Sequence, residues 1–435
     1  MILAVSTLGV IAVTVVATLV LMLLLITVLL ITKEKLSPSG PVKILINDER
    51  ELEVSSGGTL LTTLSNEGIF LPSACGGGGT CVECDCIVLE GGGEAIATET
   101  PHFTRKELQQ GYRMSCQVRV KQDMKIEIPE EIFGIKKWEA TVVQNYNVAT
   151  FIKEFIIEVP EDMDYIAGGY VQIEIPECEV KYSDMDITAH PEEHDTPDKF
   201  QAEWDKFKMW DLVMKNDELI ERAYSMASYP AEGREIMLTV RVATPPWDRA
   251  KNDWMDVNPG IASSYIFNCK PGDKVTISGP FGDFFINDSD AEMLYVGGGA
   301  GMAPMRSHLY HLFKTLKTGR KVTYWYGGRS RQELFYIEHF RELEREFPNF
   351  RFFMALSEPL ETDNWKVKDG IDGEGDGFIG FIHQVVIDNY LNYHETPEDI
   401  ELYFCGPPLM NKAVEEMGLD FGIPEENIRF DDFGI

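Results

Sequence analysis

From Ile2 to Thr32 the chain carries no charged residue, and Val15–Ile31 is almost wholly Val, Leu, Ile, Met and Ala. A helix of about 20 apolar residues crosses a bilayer. A cleaved leader would show a basic start, a shorter apolar core and a small-residue cleavage site. Here no Lys or Arg precedes the run, and Lys33-Glu34-Lys35 follows it. The pattern predicts a single retained transmembrane helix over residues 1–33. The first basic residues, Lys33, Lys35 and Lys43, lie on its C-terminal side, so the positive-inside rule places the remainder in the cytoplasm.

Past this run the period of the apolar positions falls to two. Val42–Ile46, Cys86–Leu89 and Lys125–Ile128 alternate as strands do, and Thr59–Glu67 reads as a short helix. Residues 38–130 therefore form a small mixed α+β unit. Residues 134–286 read as all-β, with strands at Trp138–Asn145, Ile152–Val159, Gly169–Ile175, Ile236–Ala243 and Lys274–Ser278 between Pro, Gly and Asp turns. Such a run usually closes into an antiparallel barrel. Residues 290–435 alternate strand and helix: strand Met293–Val296, helix Arg306–Lys317, strand Lys321–Tyr326, a helix around His339–Glu346, strand Phe350–Leu356, then Leu402-Tyr403-Phe404. That order predicts an α/β doubly wound sheet with nucleotide at the carboxyl ends of its strands.

About 400 residues after the apolar run suffice for several domains. The net charge of −32, from 71 acidic against 39 basic residues, argues against nucleic acid, whose binding rests on basic surface. Eight cysteines in a cytoplasmic chain suit metal ligation better than a disulfide framework. Cys75, Cys81 and Cys84 are spaced C-x5-C-x2-C in a glycine-rich loop, and Cys116 follows after 31 residues. A [2Fe–2S] cluster takes four thiolates, and a tight loop supplying three of them lets backbone N–H groups point at the sulfides. The glycines allow the positive φ such a loop needs. Structural zinc more often shows two C-x2-C knuckles, and one is present. The unit around this loop resembles the β-grasp ferredoxin. Cys86 is then a spare thiol, and His102 a surface residue.

Two stretches of the barrel block suit a flavin dinucleotide. Arg222-Ala223-Tyr224-Ser225 offers charge for a pyrophosphate, a ring to stack on the isoalloxazine and a donor for its reactive edge. Gly260, Ser263 and Ser264 open a helix after Pro259, where first-turn amides and hydroxyls make an anion site. In the third block, Gly297, Gly298, Gly299, Gly301, Met302 and Pro304 form a strand–turn–helix phosphate cradle, and Cys405, Gly406, Pro407 and Met410 follow a later strand.

In this order the motifs resemble the ferredoxin–NADP⁺ reductase superfamily over residues 138–435. Its FAD barrel carries R-x-Y-S and G-x-x-S, and its nicotinamide domain G-G-G-x-G-x-A-P and C-G-P-P. With a ferredoxin unit and an anchor in front, the whole chain resembles the electron-input flavoproteins of sodium-translocating NADH:quinone oxidoreductases of bacterial inner membranes. The resemblance implies FAD, NADH as donor, and electrons passed to other membrane subunits that reduce quinone and translocate sodium. It implies that Ser225 and Cys405 flank the reacting flavin and nicotinamide atoms, that Arg222 holds the pyrophosphate and Tyr224 stacks. Phe433 would cover the flavin face until nicotinamide displaces it. The residues alone argue for nicotinamide to flavin to iron–sulfur, since a flavin joins a two-electron donor to a one-electron acceptor. Arg329 and Arg331 lie near the expected 2′-position and leave NADH against NADPH open. The competing reading is an oxygenase-type reductase feeding a hydroxylase, which has no need of an anchor.

An insertion at about 177–220 departs from the small reductases. It holds Cys178, His190-Pro191-Glu192-Glu193-His194, and Phe200, Trp204, Phe207 and Trp210 at near-helical spacing. Pro191 breaks a helix, so the two histidines read as a polar loop and not a metal site. The aromatic helix is expected to pack on the barrel, and the insertion to touch partner subunits.

Overall fold

A computed structural model describes residues 15–27, 40–73 and 75–433. Helix α1 covers 15–27 with its side chains exposed. Among the described residues no helix is long and apolar enough to cross a membrane; the described part of α1 is shorter than the about 20 residues a bilayer needs. The transmembrane helix expected over 1–33 therefore does not appear as such, and residues 1–14 and 28–33 of that span lie outside the described residues. The rest divides into two compact units, one ending at Gly134 and one starting at Ile135 that also takes in Ser73–Gly76.

The first unit holds β1 (Pro41–Ile46), β2 (Arg50–Ser55), α2 (Leu60–Asn66), β3 (Asp85–Glu90), α3 (Arg105–Gln110), β4 (Tyr112–Met114) and β5 (Met124–Glu127). The sheet runs β2-β1-β5-β3-β4, with β1 and β5 parallel and its other pairs antiparallel. In β1, Val42, Ile44 and Ile46 are buried and alternate with more exposed neighbours, as expected of a strand with one wet face. Thr59 caps α2 by accepting from the Thr62 amide at 3.1 Å. Glu99 is fully buried and receives Arg113 Nε at 2.9 Å and Nη2 at 2.8 Å, plus the Met114 amide at 3.0 Å.

The second unit opens with the barrel. Its elements are β6 (Lys136–Ala149), β7 (Ile152–Glu158), β8 (Tyr170–Ile175), β9 (Cys178–Lys181), α4 (Gln201–Lys206), β10 (Val213–Asn216), β11 (Ile220–Ser225), β12 (Glu235–Arg241), β13 (Trp247–Asp248), β14 (Asp253–Trp254), α5 (Ile261–Asn268) and β15 (Lys274–Phe281). The six-stranded order is β11-β8-β15-β6-β7-β12, and an antiparallel bridge between Met226 and Leu238 joins its two edges. That bridge closes the barrel. The insertion adds the β9–β10 hairpin and α4. Phe200, Trp204 and Met209 are fully buried in one core with the barrel residues Phe155, Ile157 and Ile173, so the aromatic stripe packs on the barrel as its spacing predicts.

The nucleotide-type sheet follows: β16 (Met293–Gly298), α6 (Met302–Tyr310), β17 (Val322–Gly328), α7 (Ile337–Glu346), β18 (Phe350–Leu356), β19 (Phe378–Ile379), α8 (Ile382–Asn389), β20 (Glu401–Cys405), α9 (Pro408–Asp420) and β21 (Ile428–Asp431). All six strands are parallel in the order β19-β18-β17-β16-β20-β21. The order reverses beside β16, and the glycine loop leaves the carboxyl end of that strand, where a doubly wound sheet binds its ligand. Three consecutive buried polar residues of α6 plug this half into the barrel. Arg306 Nη1 donates to Ala227 O at 2.8 Å, Ser307 Oγ to Ser228 O at 2.7 Å, and His308 Nε2 lies 3.0 Å from Phe284 O.

Candidate active site

The cysteine loop turns through positive φ at Gly76, Gly77, Gly79 and Val82, at 65, 86, 78 and 67°. A β-branched residue at φ 67° is an outlier that only a constrained loop maintains. Cys84 and Cys116 are buried with Met114 in a small cluster. The hydrogen bond between the two thiols, and then burial, push the Cys84 thiol far up. Gln117 Nε2 lies 3.4 Å from Cys116 Sγ. Cys81 is half-buried, and Cys75, also half-buried, falls in the stretch that groups with the second unit. Among the described residues no three His, Cys, Asp or Glu side chains are arranged to hold a metal ion. Cys84 and Cys116, two buried thiols that share a hydrogen bond, are the donor type an iron–sulfur cluster takes. Cys86 is buried and its thiol pushed up by burial, and His102 is exposed.

On β11, Arg222 is half-buried and its Nη1 donates to Glu221 O at 2.7 Å. Tyr224 packs against the barrel core, and burial raises its phenol. Helix α5 begins at Gly260 with no side-chain cap. A Cβ at Gly260 would lie 2.5 Å from Ala243 Cβ, so the close approach requires glycine. Both serines of this turn are engaged inside the chain. Ser263 Oγ accepts from the Ala243 amide at 3.0 Å, while Ser264 Oγ donates to Gly260 O at 2.7 Å and pairs with Tyr182 OH at 2.8 Å. What the helix start offers an anion is its first-turn N–H groups, with the serines shaping the turn.

The glycine loop packs against the turn after β20. A Cβ at Gly301 would collide with Cys405 O, and one at Gly297 would sit 2.6 Å from Tyr324 OH. Met410 closes on Gly298 and Gly406: its sulfur would lie 2.7 Å from a Gly298 Cβ, and its methyl would meet a Gly406 Cβ. Met302 and Pro304 are buried at the start of α6, and Pro407 caps α9. The register lines up Gly297, Cys405 and Asp431 across three strands. Ser225 Oγ donates to Asp431 Oδ2 at 2.5 Å. Cys405 is fully buried, and burial followed by the charges of Asp431 and Asp432 pushes its thiol well up. Ser225 of the barrel and Cys405 of the nucleotide-type sheet, far apart in sequence, thus meet at Asp431. Pattern reading did not single out Asp431; its only signal is its place in Phe430-Asp431-Asp432-Phe433. Phe433 is 39% exposed.

A barrel with an open helix start, a glycine-looped parallel sheet and a ferredoxin-like unit define an iron–sulfur flavoprotein oxidoreductase that takes electrons from a nicotinamide dinucleotide. The sequence matches the 2Fe-2S iron-sulfur cluster binding domain over residues 44–121, the oxidoreductase FAD-binding domain over 205–286 and the oxidoreductase NAD-binding domain over 295–416. The fold is shared with the cytochrome P450 reductase of Amycolatopsis, with a TM-score of 0.60 and 21% identity over 90% of this chain and 98% of that one. It is shared also with the ferredoxin reductase of carbazole 1,9a-dioxygenase, with a TM-score of 0.55 and 22% identity over the same shares. The chain belongs to the family of the F subunits of Na(+)-translocating NADH-quinone reductases. It is 53% identical to the one of Neisseria meningitidis serogroup B over 92% of this chain and 94% of that one. It is 52% identical to that of Pseudomonas aeruginosa over 92% and 93%, and 52% identical to that of Methylococcus capsulatus over 92% and 94%.

Proposed function

We propose that this chain is the electron-input component of a membrane respiratory complex. It oxidises NADH on FAD and passes single electrons through a [2Fe–2S] cluster to membrane subunits that reduce quinone and translocate sodium. The observation that carries this reading is the meeting of Ser225 and Cys405 at Asp431. When bound, FAD would supply two-electron chemistry toward a hydride donor and one-electron chemistry toward the [2Fe–2S] cluster, a one-electron carrier.

The residues divide the remaining work. Arg222 and the first-turn amides of α5 hold the pyrophosphate, and Tyr224 lines the ring. Ser225, its hydroxyl fixed by Asp431, sets the reactive edge against the nicotinamide. Gly297–Gly301, Met302 and Pro304 cradle the dinucleotide phosphates, while Gly406, Pro407 and Met410 shape the pocket for nicotinamide. Cys405, buried and neutral, would back the nicotinamide pocket without adding charge, and Phe433 would cover the flavin face and exclude water. Cys75, Cys81, Cys84 and Cys116 supply the thiolates of the cluster.

Residues 1–33 anchor the chain in the bacterial inner membrane with its domains in the cytoplasm. The uncharged run Ile2–Thr32 and the lysines after it support that placement. The 53% identity across 92% of the chain favours this reading over an oxygenase-feeding reductase, whose likeness here is one of fold. Anaerobic mixing with NADH, followed by flavin absorbance, tests the reading: rapid bleaching is expected with NADH and slow bleaching with NADPH. A flavin that NADH leaves oxidised would refute it.

A further inference from the structure

Tyr336, the residue before α7, is a bulky aromatic at φ 58° and ψ 24°. Side chains of that size are rare in left-handed backbone and persist there only where the surroundings over-determine them. Two carboxylates do so. Tyr336 OH donates to Glu154 Oε2 at 2.6 Å, and its backbone N–H donates to Glu193 Oε2 at 2.9 Å. Glu154 stands on barrel strand β7, whereas Glu193 belongs to the insertion. The Tyr336 ring stacks on His339 with centroids 5.2 Å apart and planes 6° apart.

The insertion loop is itself pinned to the barrel. The His190 amide donates to Asn147 O at 2.8 Å, and His194 Nε2 lies 2.8 Å from Val148 O. His190 Nδ1 accepts from the Glu192 amide at 3.2 Å, leaving Nε2 to face Glu154 Oε1 at 3.3 Å. Trp204 of α4 donates to Thr150 O at 2.8 Å, and Thr150 Oγ1 in turn donates to Glu333. Glu333 and Tyr336 are thus both tied to the barrel and its insertion, on the segment that leaves the carboxyl end of β17. Arg329, Ser330 and Arg331 occupy the start of that segment, at the end of the sheet where a doubly wound fold binds its nucleotide.

We propose that the insertion is an internal strap: its Glu193, acting with Glu154 of barrel strand β7, fixes Tyr336 and thereby sets segment 329–336 for binding the nicotinamide dinucleotide. Tyr336, Glu154 and Glu193 are positioning residues in this account, which rests on the reading of the chain as an NADH-oxidising flavoprotein. In the strap's polar loop His190 is buried and His194 half-buried, and both histidines hold protein groups.

Steady-state kinetics of the intact chain with NADH and ferricyanide separate binding from turnover. Tyr336→Phe and Glu193→Ala should each raise KM for NADH roughly tenfold, the effect of losing one buried hydrogen bond to a charged group. kcat and flavin content should stay within about twofold, since uniform binding alone is lost. Glu193→Gln keeps an oxygen acceptor for the Tyr336 amide and should restore KM to near the wild-type value. Unchanged KM in both Tyr336→Phe and Glu193→Ala would overturn the strap, as would a parallel loss of kcat and flavin. A wild-type chain whose flavin NADH does not reduce would refute instead the reading beneath it.

Discussion

Cys405 takes its character from the place where β20 ends. Burial and two nearby aspartates keep the thiol neutral, which in the proposed reading lets it back the nicotinamide pocket without adding charge. In the proposed reading Ser225, its proton given to Asp431, is the oriented hydroxyl of the pair. Ser225→Ala should slow flavin bleaching by NADH roughly 10²-fold in stopped flow, the size found when a group that positions the reactants is misplaced, with flavin content unchanged. Glu99 couples the stability of the first unit to pH. Burial opposes its charge, yet Arg113 and the amides of Ile96 and Met114 outweigh burial and hold the carboxyl below its usual range. A lowered carboxyl contributes stability above the unfolded value of about 4.3 and loses it as pH falls through the folded value. Heat-induced loss of the iron–sulfur absorbance should therefore move to lower temperature below about pH 4. Arg113→Leu, which strands a buried carboxylate, should cost about 3–5 kcal/mol at neutral pH. The cysteines and glycines of both loops were legible because their spacing is local. Asp431 was not, because its role exists only once β20 and β21 pair beside the barrel.

At the scale of elements, alternation located most strands and failed where register shifts. Pattern places a strand at Trp138–Asn145, whereas β6 runs Lys136–Ala149 with irregularities at Val142/Gln144 and Asn147/Ala149 that disrupt the period. Helix α6 begins four residues before the predicted Arg306 and gives way to a π-helical turn at His311–Thr315. Arg306, Ser307 and His308 are buried polar residues that bond to the barrel, so the apolar period that marks a helix face is hidden there. The insertion's aromatic spacing correctly indicated packing, but its ties to Tyr336 join residues over 140 positions apart and leave no local trace. Gly301→Ala would place a Cβ against the Cys405 backbone, whereas Gly406→Ala meets the flexible end of Met410. KM for NADH should rise roughly tenfold more in Gly301→Ala than in Gly406→Ala, on the same footing as other forced backbone shifts near a site.

For the whole molecule, one chain carries three cofactor chemistries in sequence order, and each module was visible in the primary structure because its binding loop is a contiguous motif. Barrel closure through Met226 and Leu238 and the reversal of strand order beside β16 were implied by fold class alone; the residues that make them were not. The N-terminal run remains the proposed anchor. Removing residues 1–39 should release the protein from membranes while NADH–ferricyanide activity persists, as assayed in the soluble fraction after centrifugation. The most direct measurement is freeze-quench electron paramagnetic resonance of the full chain mixed with NADH. The account predicts a one-electron [2Fe–2S] signal that appears as the flavin bleaches, and that vanishes in Cys84→Ser or Cys116→Ser while bleaching continues. Bleaching with no such signal in the unaltered chain, or a signal that survives loss of both cysteines, would contradict it.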